Sequence, residues 1–188
     1  MMTTAVPTRL GVADLTFYQR LAHLMNSHPE WYRVLGDADM VAVFTVTGSG
    51  PATDQAGADD HAATAGVANF QLVFEAMACE AVDQVSNAEA ALADFRLVGP
   101  ATAWSAMFDD IVANGQASGE WTINSLALRG DRIRCLGDDP MGVDKFSRFN
   151  QTLQQFLDGA GRLEPPELEP PELAARGATP SDTTRSTS

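Results

Sequence analysis

The chain has 188 residues, 45% of them hydrophobic and 20% charged, which suffices for one domain with an ordinary core and excludes disorder throughout. A net charge of −13 argues against nucleic acid, whose phosphates call for a basic surface, and against electrostatic docking on anionic membranes. The acidic residues are dispersed, as expected of a soluble protein.

Residues 1–12 are expected to be a flexible arm. They lack a continuous apolar stretch, so no secretory leader is expected. Ala13 to Asn26 reads as a helix, with Leu15, Tyr18, Ala22 and Met25 on one stripe and Leu21 and Leu24 widening it. Ser27-His28-Pro29 stops it, because a residue before proline avoids the helical region. Pro29 to Leu35 reads as one further turn.

Met40 to Val46 is a strand apolar on both faces, as in a strand covered on both sides or beside a cavity. Residues 48–67, rich in Gly, Ala, Asp and Thr, read as a long mobile hairpin loop. Ala68 to Ala76 alternates, with Ala68, Phe70, Leu72, Phe74 and Ala76 facing one way. A turn at Met77-Ala78 leads to a third strand, Cys79 to Val85. Ser86 to Ala91 reads as a polar connection.

Asp94 to Val98 alternates again, with Phe95 and Leu97 on one face. Gly99-Pro100 opens a helix on which Trp104, Met107, Phe108 and Ile111 fall at i, i+3, i+4 and i+7. A short helix ends at Leu128, and Gly130 breaks the chain. Arg132 to Leu136 is a strand with Ile133 and Cys135 on one face. Asp139 caps a last helix that has Pro140 in its first turn and Val143, Phe146, Phe149, Leu153, Phe156 and Leu157 as its stripe. Gly159-Ala160-Gly161 ends that helix. EPPEL follows twice, Glu164 to Leu168 and Glu169 to Leu173, so 162–188 is expected to be a disordered tail.

The pieces ADFRL, Trp104 to Ile111 and SLALRGDRIRCLGD, in this order, resemble the sterol carrier protein 2 family. MVAVFTV, Met40 to Val46, looks like that family's first strand. ANFQLVFEA, Ala68 to Ala76, looks like its second and Glu80 to Val85 like its third. The resemblance covers roughly residues 40–157. It implies an α+β fold: a curved, mostly antiparallel sheet of about five strands, with helices packed on one face and an apolar pocket enclosed between them. The domain is then 13–161. The ligand-facing candidates are Phe70, Phe74, Trp104, Met107, Phe108, Ile111, Trp121, Leu126, Met141, Phe146 and Phe149. From periodicity alone, such a stripe reads equally as ordinary core.

The sequence contains no dinucleotide, phosphate-loop or nucleophile-elbow motif, and no metal-ligand spacing. No metal and no cofactor are therefore expected. Cys79 and Cys135 read as buried thiols rather than nucleophiles. Of His23, His28 and His61, only His23 lies on a helix position that a pocket could use. The adjacent Asp109 and Asp110 point about 100° apart on a helix and cannot both face one site.

The favoured reading is a soluble, cytoplasmic carrier for a lipid, a sterol or a terpenoid- or polyketide-like molecule. A second reading is a cyclase or isomerase using the same pocket, with His23, Glu75, Asp109, Asp110 and Asn124 as its polar candidates. A third is an accessory subunit of a lipid-metabolising enzyme, docking a protein partner through the 164–173 repeat. No membrane span and no nucleic-acid partner are expected.

Overall fold

A computed structural model describes residues 11–32, 37–48, 66–128 and 132–163. Most of the N-terminal arm, most of the 48–67 loop, the break at Gly130 and the EPPEL repeats lie outside the described residues.

Helix α1, Leu15–Ser27, starts where Asp14 accepts a 2.9 Å hydrogen bond from the Thr16 N–H, one of the donors a helix start leaves unpaired. It buries Phe17, Tyr18, Leu21, Ala22 and Met25. After a 3-10 turn at Pro29–Trp31, strands β1 (Met40–Thr47), β2 (Val67–Glu75) and β3 (Ala78–Gln84) follow. The expected polar connection contains a one-turn helix, α2, Asn87–Ala90. Ser86 and Glu89 form its capping box, each side chain serving the other's backbone N–H.

Strand β4 runs Phe95–Pro100 and passes directly into helix α3, Ala101–Asn114, with Pro100 as N-cap. Gly115, at φ +80, ends α3 in the left-handed conformation that favours glycine. A 3-10 turn at Gly119–Trp121 leads to α4, Ile123–Leu128. Strand β5 is shorter than expected, Arg134–Leu136. Helix α5, Pro140–Asp158, is capped by Asp139, which accepts from the Met141 N–H at 2.9 Å.

The five strands form one open sheet in the order β3-β2-β1-β4-β5. The β1–β4 pair is parallel and the other three are antiparallel. Met40, Ala42, Phe44 and Val46 of β1 point into one core with Phe70, Leu72, Phe95 and Leu97. Residues of α1, α3, α4 and α5 close that core. The fold is α+β, as expected.

The β2–β3 hairpin differs in register from the expectation. Its turn is Ala76-Met77, one residue earlier than expected, and Ala76 takes φ 52 without a glycine. Its carbonyl accepts from the Ala38 N–H at 2.7 Å, which holds the turn against the chain before β1.

Two polar devices tie the layers together. The Asn26 side chain of α1 donates to the Cys79 carbonyl at 2.9 Å and accepts from the Cys79 N–H at 3.0 Å. This pairs a residue of β3, the strand at one end of the sheet, whose backbone would otherwise offer a template to another chain. Asp94 accepts from the Val41 N–H at 2.8 Å and from Lys145 Nζ at 3.0 Å, joining β1 to α5 just before β4. Gly142 of α5 lies so close to the Asp94 carbonyl that no Cβ fits there.

The sheet face turned away from that core carries a buried polar chain that reaches α2. Thr45 Oγ1 donates to Asn69 Oδ1, and Asn69 Nδ2 donates to Asn87 Oδ1, both at 2.8 Å. These contacts explain how Thr45 and Asn69 are buried without orphaned polar atoms.

Candidate functional site

Of the aromatic residues that the sequence offers as ligand contacts, Trp104, Phe108, Phe74 and Phe146 each pack against another ring of the core. Phe44 and Trp104 have ring centroids 5.2 Å apart, Phe17 and Phe108 4.8 Å, Phe74 and Phe156 5.3 Å, and Phe95 and Phe146 5.6 Å. Tyr18 lies 4.7 Å from Phe70 and donates its hydroxyl to the Val12 carbonyl at 2.8 Å. Phe70, Trp104, Met107 and Ile111 are 0% exposed. A gap wide enough for water would leave accessible area on its walls, so these four residues are in contact with packed neighbours. The indole N–H of Trp104 donates to the Thr45 carbonyl at 3.3 Å, fixing α3 on β1.

Phe74, Phe108, Leu126 and Phe146 are likewise buried. Phe149 and Trp121 are half-buried and pack on the core from outside. Met141 departs from the expectation: it is 71% exposed, while the next residue, Gly142, is the one that α5 buries in its first turn.

One concave space lined by described residues lies at the edge of that core. A depression of about 270 Å³ opens at the start of α3, lined by Pro100, Thr102, Ala103, Ala106, Trp121 and Arg132. The small side chains of Ala103 and Ala106 make it hollow. Ala103 is itself a member of the core cluster, so the floor is the boundary of the interior. The guanidinium of Arg132 sits 4.5 Å over the Trp121 ring and donates to Glu120 at 3.1 Å. Among the expected ligand contacts, Trp121 lines this depression. Arg132 was missed, because its placement depends on the chain returning through β5 to the start of α3.

The polar candidates do not form a site. His23 is exposed, contrary to the expectation that it points inward, because the buried positions of α1 lie on the opposite side. Its Nε2 pairs at 3.4 Å with Ser27. Glu75, Asp109 and Asn124 are exposed. Asp110 accepts from the Ser118 N–H at 2.7 Å and from Asn114 Nδ2 at 2.8 Å, which fixes the loop after α3. No hydrogen bond joins any two of these five residues.

A buried acid that the sequence did not single out lies nearby. Asp158 accepts from the Ala117 N–H at 2.9 Å and from Gln154 Nε2 at 2.8 Å. Burial holds its carboxyl above the usual range, and these hydrogen bonds and Arg162 pull it partly back. Burial also pushes the Cys79 thiol up to about 12 and the half-buried Cys135 thiol to about 11, so neither is a ready nucleophile. Among the described residues, no group of three or more His, Cys, Asp and Glu side chains is placed to hold a metal ion. No described helix is long and apolar enough to cross a membrane.

Two solved structures share this architecture. One is a solution structure from Thermus thermophilus of a conserved hypothetical protein suggested to be a sterol carrier protein. It is 12% identical, with 85% of this chain and 94% of that chain covered and a TM-score of 0.55. The other is a crystal structure of sterol carrier protein 2, 14% identical, with 81% and 99% covered and a TM-score of 0.54. At these identities the likeness establishes the fold. Scans of family models and of curated proteins give no match.

Proposed function

We propose that the protein is a binding and carrier protein for an apolar small molecule. The observation that carries the reading is the depression at the start of α3, a hollow with an aromatic wall and an alanine floor on the edge of the core. It occurs on the fold of sterol carrier protein 2. Such a site works by desolvation: at about 25 cal/mol per Å², each 100 Å² of apolar ligand surface covered contributes roughly 2.5 kcal/mol before the cost of association.

The scattered polar side chains favour carriage over catalysis. A cyclase or isomerase needs an acid or base within reach of a bound substrate. His23 and Glu75 are exposed, and Asp110 is committed to Ser118 and Asn114. An accessory role through the 164–173 repeat has no comparable support from the described residues.

The test is incubation of lipid-stripped protein with a panel of fatty acids, fatty alcohols, terpenoids and sterols. Solvent extraction and mass spectrometry follow, before and after. Retention of one class with its mass unchanged is expected. Retention of none, or conversion of the retained molecule, overturns the carrier reading.

A further inference from the structure

We propose that the depression at the start of α3 is selective for a carboxylate, with Arg132 reading the charge and Glu120 holding the site in reserve. The proposal rests on the carrier reading and adds the chemical class of its ligand: a medium-chain or aryl carboxylate.

Size supports this class. About 270 Å³ is slightly under the roughly 300–1,000 Å³ of sites that enclose a drug-sized molecule. It suits a head group on a modest apolar body better than a sterol. The body has an apolar bed in Ala103, Ala106 and the Trp121 ring.

Charge and geometry support it independently. The Arg132 guanidinium carbon lies 4.5 Å over the Trp121 ring, a cation–π contact that keeps the positive charge at the wall of the hollow. A guanidinium carries five N–H donors, and a carboxylate takes two of them side by side. Arg132 spends Nη2 on Glu120 Oε2 at 3.1 Å, with the two side chains 44% and 56% exposed. An ion pair that exposed is weak and readily exchanged. A ligand carboxylate therefore replaces a loose partner and gains the hollow beside it. On a chain of net charge −13, an anion needs such a local cation to bind at all.

The experiment is calorimetric titration of the full-length protein with decanoate and with decanol, which share a chain and differ in charge. Wild type is expected to bind decanoate at least tenfold more tightly. Arg132→Gln is expected to abolish that preference, by weakening decanoate binding at least tenfold more than decanol binding. Glu120→Gln, which releases Arg132, is expected to tighten decanoate binding several-fold, a gain that misfolding does not produce. Equal binding of acid and alcohol by wild type refutes the carboxylate assignment and leaves the carrier reading standing. Persistence of the preference in Arg132→Gln, or its weakening in Glu120→Gln, also refutes the assignment. Binding of neither compound refutes the assignment, and the carrier reading falls with it only if the terpenoids and sterols of the panel are not retained either.

Discussion

Replacement of Trp104 by phenylalanine tests whether the interior is packed around its rings. Trp104 is 0% exposed, its ring lies 5.2 Å from Phe44, and its indole N–H bonds the Thr45 carbonyl at 3.3 Å. Phenylalanine keeps a six-membered ring there and deletes the part of the indole that carries the donor. The lost burial and the gap left behind cost about 1–2 kcal/mol. Loss of the hydrogen bond adds about 1 kcal/mol. The total, about 2–3 kcal/mol, corresponds to a fall in Tm of roughly 5–10 °C for a chain of this size. Urea unfolding followed by far-UV circular dichroism measures it, with an unchanged slope showing that both end states are conserved. A loss under about 0.5 kcal/mol would mean that Trp104 faces open space in solution, and the packed-core description would fail.

Three further outcomes follow from particular contacts. Ala76→Gly is expected to stabilise the protein by about 0.5–1 kcal/mol in the same assay, because a left-handed alanine is strained and glycine is not; a loss of stability refutes that. For Asp158, the folded-state pKa lies above the unfolded value, so the folded state holds the extra proton between the two. Stability from this group is therefore present below the ordinary carboxylate value near 3.9 and is lost as pH rises toward the raised one. Asp158→Asn keeps an oxygen for Ala117 and Gln154, so urea titrations from pH 4 to 7 should show wild type losing ground to it; wild type gaining ground contradicts the burial argument. Finally, the Cys79 thiol, pushed up to about 12, should react with a disulfide reagent at pH 8 only when urea opens the fold; prompt labelling in the native state would show that it is not enclosed.

Much of the architecture can be read from periodicity. The spacing of Trp104, Met107, Phe108 and Ile111 places all four inside, and Asp139 before Pro140 marks the start of α5 to the residue. The capping box of α2 also had a sequence signal, Ser86 followed three residues later by Glu89, within a stretch whose polarity suggested only a connection. The hairpin turn had none, because alanine at a positive φ has no sequence signature. Asn69 reads as a solvent-facing strand position and is buried by hydrogen bonds to Thr45 and Asn87.

The site was less legible, for a physical reason. A residue that fills an interior and one that lines a hollow share the same spacing, so Trp104 and Trp121 look alike in sequence. One is sealed between α3 and β1, and the other forms the wall of an open depression. The Arg132–Trp121 stack is equally hidden, since it depends on where α4 and β5 set down the chain between them.

Native mass spectrometry of the purified full-length protein bears most directly on the proposal that this chain carries an apolar small molecule. The account predicts ions heavier than the 20.0 kDa chain by the mass of one small molecule, reduced to the bare chain by solvent extraction and restored by adding decanoate. Bare chain alone, both as purified and after that addition, would contradict it.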